Sequence, residues 1–390
     1  MTVVTRSWHR TMTLGALAAA LAGCASQSKT PRDRAQGESQ AVLAAARANR
    51  INMFGDIGGV VDMRYFTRTA VSMRQHTFAD VGGDSDPDLD STGQRLLFSS
   101  TRHHAAANLY IKSVDGVAVT QLTSDSSSDI QPAFSPDGTR VAFASNRGGN
   151  WDIWITSISG DPPVQMTSND SDDVHPSWSP DGRQLVFCSL PRGGEGEWEL
   201  WIADASAGAS KRFIGYGLFP EWSPTGETIV YQLARERGSH WFGIWTLTLV
   251  NGEPRYPTEI AASAVQAMIL PTWSPDGRRI AFAATAQPPI DNGTMTPVDE
   301  GGLFDIWIMG ADGRGKSRLT DGHTANYAPV FSPGGRVFFT SNRSGQQNIW
   351  SLLPGGGTEA GGDAVTFGTE GVTQPASHRA ALTTSAQDGL

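Results

Sequence analysis

Apolar residues in this chain come in short runs separated by turn-forming residues, and the arrangement of the runs repeats. Pro132 to Ile155 reads P-A-F-S-P-D-G-T-R-V-A-F-A-S-N-R-G-G-N-W-D-I-W-I. The aromatic two residues after the leading proline closes a first predicted strand, a. The apolar run Val141-Ala142-Phe143 predicts strand b, and the alternating Asp152-Ile153-Trp154-Ile155 predicts strand c. Strand d is predicted just before the next copy, as in Val119-Thr120-Gln121-Leu122-Thr123, Val164-Gln165-Met166-Thr167 and Ser317-Arg318-Leu319-Thr320. β-Branched and aromatic runs punctuated by Gly, Pro, Asn and Asp suit sheets rather than helices. The Ser-Pro-Asp-Gly between a and b is a tight turn, in which Pro presets φ and Gly supplies a positive one.

The leading prolines stand at 87, 132, 176, 220, 271 and 329, so the copies are spaced by 45, 44, 44, 51 and 58 residues. That period suits a four-stranded propeller blade and is too long for leucine-rich or ankyrin units. A lone blade cannot cover both of its apolar faces, so six copies predict an all-β, six-bladed propeller closed into a ring. Closure has two candidates. Met73-Arg74-Gln75-His76-Thr77 aligns with the d pattern and has no blade before it, while Asp363 to Gly368 could fill the same place. Gln374-Pro375-Ala376-Ser377 resembles the opening of a further unit, which leaves seven blades as an alternative.

The Pro-x-Trp-Ser-Pro-Asp-Gly, Ser-Asn-Arg and Asp-Ile-Trp elements resemble the repeat of the TolB-like β-propellers, a branch of the WD-like propellers, over roughly residues 70 to 370. The resemblance implies a periplasmic docking role with a lipoprotein partner. Propellers of this kind also serve as lids of serine peptidases and as sugar lyases, so the fold alone does not fix the function.

Ahead of the repeats, Arg6, His9 and Arg10 precede the apolar Leu14 to Ala22, and Leu21-Ala22-Gly23-Cys24 closes the segment. This resembles a bacterial lipoprotein signal at 1–23, with Cys24 as the lipid attachment site; Ala25 after it implies the outer membrane where the cell has two. Residues 24–66 read as a tether carrying a short helix over Ser39 to Ile51, 67–378 as the propeller and 379–390 as a disordered tail. The chain has 30 basic and 39 acidic residues, and two of the basic ones, Arg6 and Arg10, belong to the leader. An excess of acid disfavours nucleic acid as a partner. Beside Cys24 the one other cysteine, Cys188, falls in the strand b register, so no structural disulfide is expected.

Strand a lines the axis of a propeller, and antiparallel order puts its start on one face with the b–c and d–a loops. Residues on either side of the leading proline share one side of the strand. Asp86, Asp88, Gln131, His175 and Glu221 are therefore expected to converge in the channel mouth, with Asp84, Asp129, Asp173 and Asn326 at the strand starts. Such a cluster can hold a cation through oxygen ligands or capture a basic peptide; alternatively the acids cap backbone amides at strand bends. No cofactor is called for. Trp151, Trp198, Phe242 and Phe304 occupy one repeated position ahead of strand c, with Trp241 beside one of them; they fit rim stacking on sugars or peptides, or packing between blades. The insertion Thr285 to Leu303 lengthens a b–c loop that would overhang the mouth.

Gly-x-Ser-x-Gly, His-Glu-x-x-His, Cys-x-x-Cys and phosphate-loop motifs are all missing. The expectation is a monomeric, membrane-anchored, non-enzymatic propeller that binds an envelope protein or lipoprotein, or a cell-wall polymer. The alternative is a polysaccharide lyase or hydrolase, or a sugar-binding subunit, using His175, the acids and the rim aromatics.

Overall fold

The computed structural model describes residues 70–191, 197–234, 242–263, 266–285, 290–291, 294–295 and 303–354. The expected leader, Cys24, the Ser39–Ile51 segment, Trp241, Asp363–Gly368 and the tail lie outside these residues, as does most of the 285–303 insertion.

Six four-stranded antiparallel sheets form the blades, each in the order a-b-c-d. Blade 1 is Asp84–Leu89, Arg95–Ser100, Asn108–Ser113 and Val119–Gln121. Blade 2 is Asp129–Phe134, Arg140–Ser145, Asp152–Ser157 and Val164–Gln165, and blade 3 is Asp172–Trp178, Gln184–Leu190, Glu199–Asp204 and Lys211–Tyr216. Blade 4 is Leu218–Trp222, Thr228–Ala234, Phe242–Val250 and Glu253–Ala261, and blade 5 is Met268–Trp273, Arg279–Thr285, Phe304–Gly310 and Ser317–Arg318. Blade 6 takes strands a to c from Asn326–Phe331, Val337–Ser341 and Asn348–Pro354, and its d strand is Ala70–Gln75 from the other end of the propeller. Each strand a contacts its neighbours in sequence, and blade 6 returns to blade 1, so the ring is closed.

The N-terminal candidate for closure is thus the one observed. Thr77 repeats the role of the d-strand threonines in other blades. Its Oγ1 donates to Asn348 Oδ1 and accepts the Ile349 N–H, as Thr167 Oγ1 donates to Asp152 Oδ1 and accepts the Ile153 N–H.

The core is a set of layers between blades. Ala142, Ile153, Ile155 and Met166 of blade 2 meet Trp178, Leu185, Phe187 and Ala203 of blade 3; blades 1 and 6, 1 and 2, and 4 and 5 have equivalent layers. Strand b is central in each sheet and has a neighbouring blade on both faces, hence its continuous apolar run. Phe98, Phe143, Phe187, Phe282 and Phe339 repeat at one b position, all fully buried.

Candidate functional site: an axial cavity

Strand a breaks its ladder with strand b at the leading proline in every blade, the register shifting between Ser85 and Asp88, Ile130 and Ala133, Val174 and Ser177, Leu218 and Glu221, Ile269 and Thr272, and Tyr327 and Val330. Proline has no N–H to give the ladder and disfavours a helical residue before it. The chain resolves this with a bulge whose first residue is left-handed: Asp86, Gln131, His175, Phe219, Leu270 and Ala328 have φ of 50 to 56°. The bulge turns this residue and the one after the proline toward the axis.

Around the axis lies a cavity of about 430 Å³. Its wall begins at the six bulge residues and runs to Ser91, Pro136, Pro180 and Pro224 in the a–b turns. The expected convergence of Asp86, Asp88, Gln131, His175 and Glu221 is present, but the space they line extends toward the a–b turns and away from the strand starts. The wall is asymmetric: blades 1 to 3 present Asp86, Gln131 and His175, and blades 4 to 6 present Phe219, Leu270 and Ala328 at the same level. Among the described residues no Lys or Arg lines it.

Most of these polar side chains brace the ring. Strand a is an inner edge strand, and its unpaired N–H groups face the preceding blade. Asp88 Oδ2 accepts the Phe134 N–H at 2.6 Å, Gln131 Oε1 the His175 N–H at 3.0 Å, Ser177 Oγ the Trp222 N–H at 3.2 Å and Glu221 Oε1 the Trp273 N–H at 3.0 Å. Gln232 Oε1, from strand b of blade 4, accepts the Leu270 N–H at 2.8 Å. The sequence reading missed Ser177 and Gln232, since a lone Ser or Gln carries no signal of this role.

Burial dominates the electrostatics of the cavity. It pushes the Glu221 carboxyl up to about 8, with the Asp88 charge adding to the rise. It pushes Asp88 up to about 7 and raises Asp86. His175 falls well below its ordinary value from burial alone, and its ring lies 3.7 Å from that of Phe219. The same burial thus disfavours the charged forms of the lumen acids and of the imidazole alike. Among the described residues no group of three or more His, Cys, Asp or Glu is placed to hold a metal ion.

Asp84, Asp129, Asp173 and Asn326, three residues before the leading prolines, are fully buried and do not line the cavity. They are tied to the end of strand b and to a cation, which follows strand b in blades 1, 2 and 6 and opens strand d in blade 3. Asp84 accepts from Ser100 Oγ at 2.6 Å and pairs with Arg102 at 2.6 Å; Asp129 pairs with Arg147 at 2.7 Å. Asp173 accepts from Ser189 Oγ at 2.5 Å with Lys211 at 3.5 Å, and Asn326 Oδ1 accepts from Ser341 Oγ and Arg343 at 2.8 and 2.9 Å. Each cation also lies over the strand c ring, Tyr110, Trp154, Trp201 or Trp350. The Ser-Asn-Arg element is thus half of a blade-internal latch. Of the aromatics before strand c, Phe242 and Phe304 are buried, and Trp151 and Trp198 pack partly buried against the same core cluster.

This architecture defines a closed β-propeller with an axial cavity. Residues 65–193 match the family model of the TolB beta propeller domain, PD40. The uncharacterized protein Atu1656 of Agrobacterium fabrum is 31% identical over 110 residues, which make up 28% of this chain and 31% of that protein, so the match spans about a third of the relative's length. A solved structure from Agrobacterium tumefaciens assigned to TolB aligns with a TM-score of 0.53 at 21% identity, over 70% of this chain and 91% of that one. An oligogalacturonate lyase solved with manganese aligns with a TM-score of 0.51 at 13% identity, over 72% of this chain and 93% of that one, a likeness of fold alone. The chain is a six-bladed β-propeller whose residues 65–193 resemble the TolB beta propeller domain.

Proposed function

We propose that the protein is a binding propeller, without chemistry of its own, that takes a segment of a partner protein into the axial cavity from the a–b turn face. The observation that carries the reading is the state of the lumen groups. Asp88, Gln131 and Glu221 each already accept a main-chain N–H of the next blade, so part of each side chain's hydrogen-bonding capacity is committed to holding the ring. His175 packs against the Phe219 ring, and burial holds its imidazole well below its ordinary pKa. What remains is a fixed wall of hydrogen-bonding groups with an apolar half, Phe219, Leu270 and Ala328, and a collar of Pro136, Pro180 and Pro224. Recognition sites of this kind are concave, mostly apolar and carry few polar groups. The signal-like segment ending at Cys24 supports a lipid anchor in the bacterial envelope, and with it a periplasm-facing partner.

Filling the cavity tests this. Ala328→Phe introduces the residue that Phe219 already carries at the same position with the same left-handed backbone, φ 50 against 53°. The expected result is a melting temperature close to the parent's and loss of the proteins that the parent captures from an envelope extract. Equal capture by both would remove the cavity from the reading.

A further inference from the structure

Three d strands share a pattern in which an apolar residue, buried at Met166 and Leu319 and partly buried at Leu122, precedes the threonine: Leu122-Thr123, Met166-Thr167 and Leu319-Thr320. In the strand that closes the ring the same place holds His76, which is 2% exposed. Its Nε2 lies 2.8 Å from Ser351 Oγ of blade 6 and its Nδ1 3.2 Å from the Val114 carbonyl of blade 1. Its ring lies against Phe338 at 4.5 Å, and its own carbonyl accepts from Lys112 Nζ. The seam between the last and first blades is therefore built around an imidazole where other blades use a hydrocarbon.

The charged groups facing it are of one sign. Arg74 lies on its own strand, Lys112 on strand c of blade 1 and Arg336 at the start of strand b of blade 6, and all three disfavour a proton on His76. The carboxylate at this seam, Asp115, is held by Arg74 Nη1 at 2.8 Å. Ionised, His76 would be a fourth positive charge, buried and without an acid partner, and only one ring nitrogen would keep a carbonyl to donate to.

We propose that His76 makes closure of the propeller sensitive to acid, so that its protonation releases the strand Ala70–Gln75 from Asn348–Pro354 and opens the ring between blades 6 and 1. Burial, with the neighbouring cations, lowers His76 from its ordinary 6.5 to about 4 while the strand is docked. A basic group lowered in the closed state penalises that state as pH falls: the effect is nil above about pH 7, grows below 6.5 and saturates near 4. With those limits the equilibrium for opening rises about 30-fold between pH 7.5 and 5.0.

The measurement is amide-hydrogen exchange on the whole protein at the two pH values, as protection factors corrected for intrinsic rates. The expected result is a loss of protection of about 30-fold confined to peptides covering 70–77 and 348–354, with strand b of blade 2 unchanged. His76→Leu restores the residue type of the other blades, and His76→Gln keeps a polar contact to Ser351 without a titratable group; both are expected to hold the closing strand equally at both pH values. An unchanged closing strand in the parent, a loss spread evenly over all blades, or the same loss in the two variants would overturn the proposal.

Discussion

Replacing Asp84 by alanine separates a structural role for the strand-start acids from a ligand-binding one. The Asp84 carboxylate is fully buried, and Arg102 reaches it with Nη2 at 2.6 Å and Nε at 3.3 Å. The Arg102 side chain is itself only 16% exposed, lying over Phe98 and Tyr110. Without Asp84 the guanidinium keeps Ser100 Oγ at 3.2 Å and loses its buried carboxylate partner. Stranding one partner of a buried pair typically costs about 3–5 kcal/mol. Asp129→Ala provides the internal comparison, because Arg147 has a second carboxylate, Asp125, at 2.6 Å. Its loss is expected to be smaller, roughly 1.5–3 kcal/mol, the range for hydrogen bonds to charged groups. Urea unfolding followed by tryptophan fluorescence reads both, and the midpoints should fall in the order parent, Asp129→Ala, Asp84→Ala. An Asp84→Ala protein as stable as its parent would refute the latch and return these acids to the candidates for ligand contact; equal losses would refute the compensating role of Asp125.

Two further outcomes follow from the cavity and from the blade contacts. In Glu221→Gln an amide oxygen can still accept the Trp273 N–H, but the side chain cannot ionise. A carboxyl raised to about 8 when folded destabilises the fold as pH climbs from about 4.5 to 8, so the variant should gain in melting temperature over the parent across that range and match it near pH 4; a gap independent of pH would contradict the burial. Gly313→Ala combines a φ of +79° with a methyl driven into the Ile260 carbonyl of blade 4, and should cost about 1–3 kcal/mol by thermal melting; a neutral effect would mean that blades 4 and 5 are not so closely apposed.

Much of this was legible from residue order because a propeller reuses one local solution. The spacing of the leading prolines marks the blades, and the Gln-His-Thr of residues 75–77 marks a d strand without a blade of its own. Alternation about the proline places Asp86, Asp88, Gln131, His175 and Glu221 on the axis. What was not legible depends on distance in sequence. An acid three residues before a proline reads the same whether it faces a ligand or a guanidinium, and Arg102 and Arg147 each follow their acid by 18 residues across a sheet. Nor does alternation reveal which end of the bore stays open, because that is set by how deeply the bulge residues of six different strands fill the axis.

The bulge position shows where specificity can reside in such a ring. Asp, Gln, His, Phe, Leu and Ala stand there in turn, yet the backbone holds one conformation within a few degrees. The proline and the broken ladder dictate the direction in which the side chain points and leave its identity free. By contrast, the residues that do repeat, such as the strand b phenylalanine and the tight-turn glycine, are those whose shape the blade itself requires. Recognition in this protein is therefore to be sought where the copies differ while the geometry does not. Gln131, Ser177 and Glu221 stand in the cavity wall and also accept an N–H from the next blade, so a ligand that drew one of them away would weaken a seam between blades. Any occupant is thus confined to contacts that leave those braces in place, and the apolar half formed by Phe219, Leu270 and Ala328 is the part of the wall free to be read without that penalty.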